Sequence, residues 1–94
     1  MRLNQNQIDQ SLKQVSQWQV NERGELYRQF VFKNFIQAFA FMTQVALIAE
    51  KQDHHPNWSN CYRQVDICLT THEYGGLTQR DFTLAAAIDT LTDC

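Results

Sequence analysis

The segment from Asn34 to Trp58, NFIQAFAFMTQVALIAEKQDHHPNW, carries a long helical pattern into a proline-fixed corner. Phe35, Phe39, Met42, Ala46 and Ala49 form one apolar stripe at helical spacing, Phe41, Val45 and Ile48 a second, and Ile36, Ala40 and Leu47 a third. Only Gln37, Gln44 and Lys51 keep a polar line along a helix expected from Asn34 to about Lys51. A helix apolar on nearly every side must be covered on more than one side. One cover is the protein's own sheet and the other a second subunit, so the pattern predicts an oligomer. Pro56 disfavours helical geometry at His55, which ends the helix around Asp53.

Working outward, Asn4 and Gln7 have the spacing of a capping box, with Leu3 and Ile8 at the staple positions. Ile8, Leu12 and Val15 mark the inner face of that first helix. Strands are expected over Trp18–Val20 and Leu26–Phe32, joined through Asn21-Glu22-Arg23-Gly24. After the corner come strands near Trp58–Tyr62 and Gln64–Thr71; in the latter Val65, Ile67 and Leu69 alternate with Asp66, Cys68 and Thr70. Gly75-Gly76 breaks the chain, and Thr78 with Asp81 caps a last helix whose inner face is Leu84, Ile88 and Leu91. The fold class is therefore α+β. A four-stranded antiparallel sheet carries three helices on one face, in the order α-β-β-α-β-β-α.

The chain of 94 residues is one domain, 1–94, with 44% apolar residues and a formal net charge of −2. Its eight basic residues are scattered singly, which argues against direct nucleic-acid binding. The longest apolar stretch, residues 38–49, is too short to span a membrane, and residues 1–7 carry no apolar signal region. A cytoplasmic protein is the expectation. Cys61, Cys68 and Cys94 have no CxxC spacing and read as buried or incidental thiols rather than as a disulfide framework.

All three histidines stand at element ends: His54 and His55 at the corner, His72 before the glycine break. Imidazole gives or takes a proton near neutral pH, so the cluster points to acid–base chemistry. Glu50, one helical turn before His54, is placed to act as its supporting carboxylate. Trp58 offers either a flat surface for a heteroaromatic ring or core filling. Three imidazoles and a carboxylate could in principle hold zinc, but adjacent histidines are awkward on one ion and no His-x-His or His-x₃-His spacing is present. No metal is expected, and Cys61 has no feature of an activated nucleophile.

Phe41–Leu47 and Ala49–Trp58, then Asn60, Tyr62, Val65, Ile67, Leu69, Thr71-His72, Gly75–Thr78, Asp81, Leu84-Ala85 and Ile88, resemble pterin-4a-carbinolamine dehydratase. The resemblance implies a cofactor-independent lyase that dehydrates 4a-hydroxy-tetrahydropterin, the pterin left by an aromatic amino-acid hydroxylase, to quinonoid dihydropterin. By the same resemblance His54, His55 and His72 are the catalytic residues, and Asp53, Thr70, Thr71 and Glu73 join them around the substrate. Glu50, Pro56 and Trp58 support them. His54 is read as the acid on the leaving hydroxyl, His72 as the base, and His55 as the group that orients the ring.

Family members are homotetramers, dimers of dimers, in keeping with the many-sided apolar helix. Asn57 stands where many members carry an acidic residue. The competing reading is a binding or regulatory module, since an animal member serves as dimerisation cofactor of a transcription factor. A role in molybdopterin metabolism is a further alternative.

Overall fold

The computed structural model describes residues 1–92. Helix α1 (Gln5–Leu12) leads to β1 (Gln19–Val20) and β2 (Leu26–Val31). The long α2 (Phe35–Gln52) precedes β3 (Asn57–Cys61) and β4 (Gln64–Leu69), and a single 3₁₀ turn, His72–Tyr74, comes before α3 (Gln79–Asp89). The strands pair antiparallel in the order β1-β2-β4-β3, and the helices cover one face of this sheet. The α+β class and the order α-β-β-α-β-β-α are as the sequence indicates.

The caps explain where the helices begin. Asn4 and Thr78 each accept from the first turn of their helix, and Gln7 and Asp81 return the bond to complete two capping boxes. Asn34 caps α2 through Gln37 N. The first helix is shorter than its apolar spacing suggests: Val15 is buried from a turn beyond Leu12 rather than from the helix.

Period-two alternation sorts the sheet's side chains. Leu26, Phe30, Val65, Ile67 and Leu69 are buried on the helical side, where Ala38, Phe41 and Val45 of α2 and Leu84, Ala85 and Ile88 of α3 meet them. On the same side Asp89 accepts from Trp18 Nε1 and Arg28 Nη1, both at 2.7 Å, so an arginine within a core-facing strand has its charge partnered. On the opposite face Tyr27, Gln29 and Gln64 all donate to Asp66. Partial burial alone would raise that carboxyl's pKa, but the three donors outweigh it and hold it below the usual value.

Each of the four strands differs from expectation by one or two residues at one end or both; β2 stops at Val31 rather than Phe32. Trp18 is core filling ahead of β1, which begins at Gln19. β3 runs Asn57–Cys61 rather than Trp58–Tyr62, because Tyr62 takes φ 55 and makes the turn into β4. β4 ends at Leu69; beyond it Thr71 bridges Gly76 and closes the loop that carries the 3₁₀ turn, an element the sequence reading lacks.

Candidate functional site

Where α2 ends, Asp53 adopts the left-handed conformation at φ 52, ψ 44. His54 N–H then bonds back to Ala49 O at 3.1 Å, six residues closing on one, as in a Schellman cap. This turns His54 inward beneath the helix end, where it is 7% exposed. Pro56 carries the chain out again, so His55 points outward. The two adjacent histidines therefore have different surroundings, set by one residue of backbone reversal.

His54 Nε2 meets Asp81 Oδ1 at 2.6 Å, and Asp81 is fully buried. The other carboxylate oxygen accepts from Thr71 Oγ1 and from Thr78 N, both at 2.9 Å. Thr71 has one hydroxyl proton and gives it to Asp81, so in the 2.8 Å contact between Thr71 and Thr78 the Thr78 hydroxyl is the donor. An ionised carboxylate only accepts, which places a proton on His54 Nε2. The first turn of α3 favours a negative charge at this position. His54 has no second hydrogen bond, yet no buried side-chain nitrogen lacks a partner among the described residues. Its Nδ1 therefore reaches solvent.

Asp53, His54, His55, Thr70, Thr71, His72 and Glu73 line one cleft of about 230 Å³, together with Arg80. These are the seven residues expected around the substrate. Just beyond β4, Thr71 is buried and its hydroxyl reaches Asp81. His72 then follows on an exposed turn closed by Gly75 at φ 67, whose N–H bonds to His72 O. Arg80 ties the two histidine-bearing segments together. One guanidinium nitrogen donates to Asp53 O at 2.6 Å and another lies 3.4 Å from Glu73 Oε1.

The supporting residues fall differently from the expectation. Glu50 meets His55 Nε2 at 2.9 Å, not His54. The Schellman reversal carries His54 away from the outer face of α2, and His55 takes the place beside that carboxylate. Both partners of this pair are well exposed, so it is worth little as an ion pair. Trp58 lies on the helical side of β3, packed against the core, and does not line the cleft. Pro56 acts through the corner rather than as a wall.

Asp81 and Arg80 were missing from the sequence-derived site. Asp81 was legible only as a capping residue, because its second oxygen shows its use only when the last helix is docked beneath the corner. Among the described residues no group of three or more His, Cys, Asp or Glu is placed to hold a metal ion. Cys61 is exposed and Cys68 half-buried, while Cys94 lies outside the described residues. Among the described residues no helix is long and apolar enough to cross a membrane.

The family model for pterin 4 alpha carbinolamine dehydratase matches residues 1–91. A protein of Chelativorans sp. strain BNC1, provisionally named as such a dehydratase, is 51% identical over 89% of this chain and 87% of its own. One of Synechococcus sp. strain WH7803, named likewise, is 60% identical over 79% of this chain and 78% of its own. The crystal structure of a transcriptional coactivator/pterin dehydratase from Brucella melitensis superposes with a TM-score of 0.92 at 41% identity, covering 97% and 98% of the two chains. A pterin dehydratase-like protein identified as a RuBisCO assembly factor in the alpha-carboxysome is more distant, with a TM-score of 0.68 and 25% identity over 79% of this chain and 87% of its own.

Proposed function

The chain belongs to the pterin 4 alpha carbinolamine dehydratase family, and we propose that it catalyses the loss of water from 4a-hydroxy-tetrahydropterin. The observation that carries this reading is the Asp81–His54 pair at 2.6 Å, with the free ring nitrogen reaching solvent where His54 joins His55 and His72 around one cleft. In this step His54 acts as an imidazolium: it keeps its Nε2 proton on Asp81, gives its Nδ1 proton to the 4a-hydroxyl and becomes neutral as the C4a–O bond breaks and water leaves. His72 takes the N5 proton, and the electrons of the N5–H bond become the N5=C4a double bond of quinonoid dihydropterin. His55, steadied by Glu50, orients the ring, and Asp53, Thr70, Thr71 and Glu73 contact it. No step calls for a cofactor. Positioned acid–base groups of this kind contribute about 10²–10⁴-fold.

Freshly generated 4a-hydroxy-tetrahydropterin, followed by ultraviolet absorbance, tests the proposal. Wild-type protein is expected to accelerate dehydration well beyond the spontaneous rate. A folded protein that leaves the spontaneous rate unchanged overturns the reading. The physiological setting proposed is the cytoplasm, downstream of an aromatic amino-acid hydroxylase.

A homotetramer, a dimer of dimers, is part of the same proposal. Ile36, Phe39 and Leu47 of α2 are 77%, 58% and 68% exposed in the single chain, an apolar stripe of the kind that marks an interaction surface. This stripe is also what favours the second reading, a regulatory module that trades a homotypic contact for a partner's. Leu47→Glu should lower the solution mass by light scattering without loss of fold. An unchanged mass would remove α2 from the interface.

A further inference from the structure

His72 stands on a turn whose residues 72–75 are all exposed, so the core does not hold it in place. Backbone bonds close the base of the turn: Thr71 N–H to Gly76 O at 3.2 Å, Tyr74 N–H to Thr71 O at 3.1 Å and Gly75 N–H to His72 O at 3.1 Å. On one flank Arg80 lies 3.4 Å from Glu73, a pair of exposed groups that adds little. The other flank is held by a distant part of the chain. Ahead of α1, Leu3 N–H donates to Leu77 O at 2.8 Å, and the Leu3 side chain packs against the core. That pairing lays Arg2 across Gly75 and Gly76.

The two glycines serve different ends. Gly75 takes φ 67, a conformation that suits a residue without a Cβ. Gly76 has no positive φ, so its backbone does not call for glycine. A Cβ built on Gly76 would lie 3.0 Å from Arg2 Cδ, 3.3 Å from Nε and 3.4 Å from Cγ, its three nearest contacts beyond the adjacent residues. The space left by the absent side chain is the seat of the arginine stem, which packs there while its head stays in water. Arg2 Nη1 lies 3.4 Å from Gly75 O, long for a hydrogen bond, so the packing is the firmer of the two contacts. Gly75 in turn donates to His72 O. The arginine is thus two contacts away from the residue that carries the third imidazole.

We propose that Arg2 is a positioning residue for His72: its stem, seated on Gly76, holds the exposed turn in the conformation that presents the imidazole to the cleft. The inference rests on the pterin reading, with His72 as the base. Dehydration kinetics and amide hydrogen exchange over residues 72–76 test it together. Arg2→Ala is expected to lower kcat by about 3- to 10-fold, less than the roughly 100-fold that a displacement of about 1 Å can cost. KM and melting temperature should barely change, because Arg2 is itself exposed, while exchange over the turn should quicken. Arg2→Lys keeps most of the stem and should restore most of the rate. Gly76→Ala should act like Arg2→Ala by unseating the stem, and the two losses should not add, since without the stem the new Cβ has room. In His72→Ala, the further change Arg2→Ala should cost nothing, because the group it positions is gone. An equal loss in both backgrounds would overturn the proposal. So would full kcat and unchanged exchange in Arg2→Ala, although the dehydratase would stand. A wild type without turnover removes the underlying reading, and the positioning role falls with it.

Discussion

Replacing Asp81 by alanine is expected to cost about 3 kcal/mol of stability, because it strands buried partners rather than removing one contact. Asp81 is fully buried and accepts from Thr71, Thr78 and His54. Its loss leaves a buried hydroxyl and a helix N-terminal N–H unpaired, and frees His54 to turn. For a chain of this size the total stability is on the order of 5–14 kcal/mol, so urea unfolding should detect the change readily. Asp81→Asn separates folding from chemistry. The amide can still accept from Thr78, and stability should fall by only about 1–2 kcal/mol. If its NH₂ is what meets His54 Nε2, that nitrogen becomes an acceptor and the proton moves to Nδ1. A neutral imidazole donating from Nδ1 is a far weaker acid than an imidazolium, so dehydration should drop by about two orders of magnitude or more. An Asp81→Asn protein that folds and keeps full activity would show that the pair is structural only.

The fold was legible because its punctuation is local. Pro56 ends α2, two capping boxes open α1 and α3, and Val65, Ile67 and Leu69 alternate with polar neighbours. Each of these signals needs only a few consecutive residues. The strand ends were less legible, since pairing partners and the left-handed Tyr62 decide them. The cleft was also largely legible: seven expected residues line it. What was not legible is how the residues pair with one another. Helical spacing put Glu50 beside His54, but the reversal at Asp53 exchanged the neighbours and gave Glu50 to His55. Asp81 read as a cap because its Oδ2 is one. Its Oδ1 serves a residue 27 positions away, and no local pattern reports that.

The same pairing separates the three histidines experimentally. His54→Ala should reduce turnover by about 10²–10⁴-fold, the largest single effect expected at the site, since His54 alone is held by a buried carboxylate. It should also destabilise the fold, because buried Asp81 loses one of its three donors, the one on Oδ1. His54→Gln retains a side-chain donor toward Asp81 and should recover part of that stability without recovering activity. His72 stands on an exposed turn closed by Gly75, so His72→Ala should leave the melting temperature nearly unchanged while turnover falls by a comparable factor. His55→Ala, breaking only an exposed contact to Glu50, should act mainly on KM. Turnover that survives in His72→Ala but vanishes in His55→Ala would exchange the roles of base and orienting group. Full activity in folded His54→Gln would remove the buried pair from the chemistry altogether.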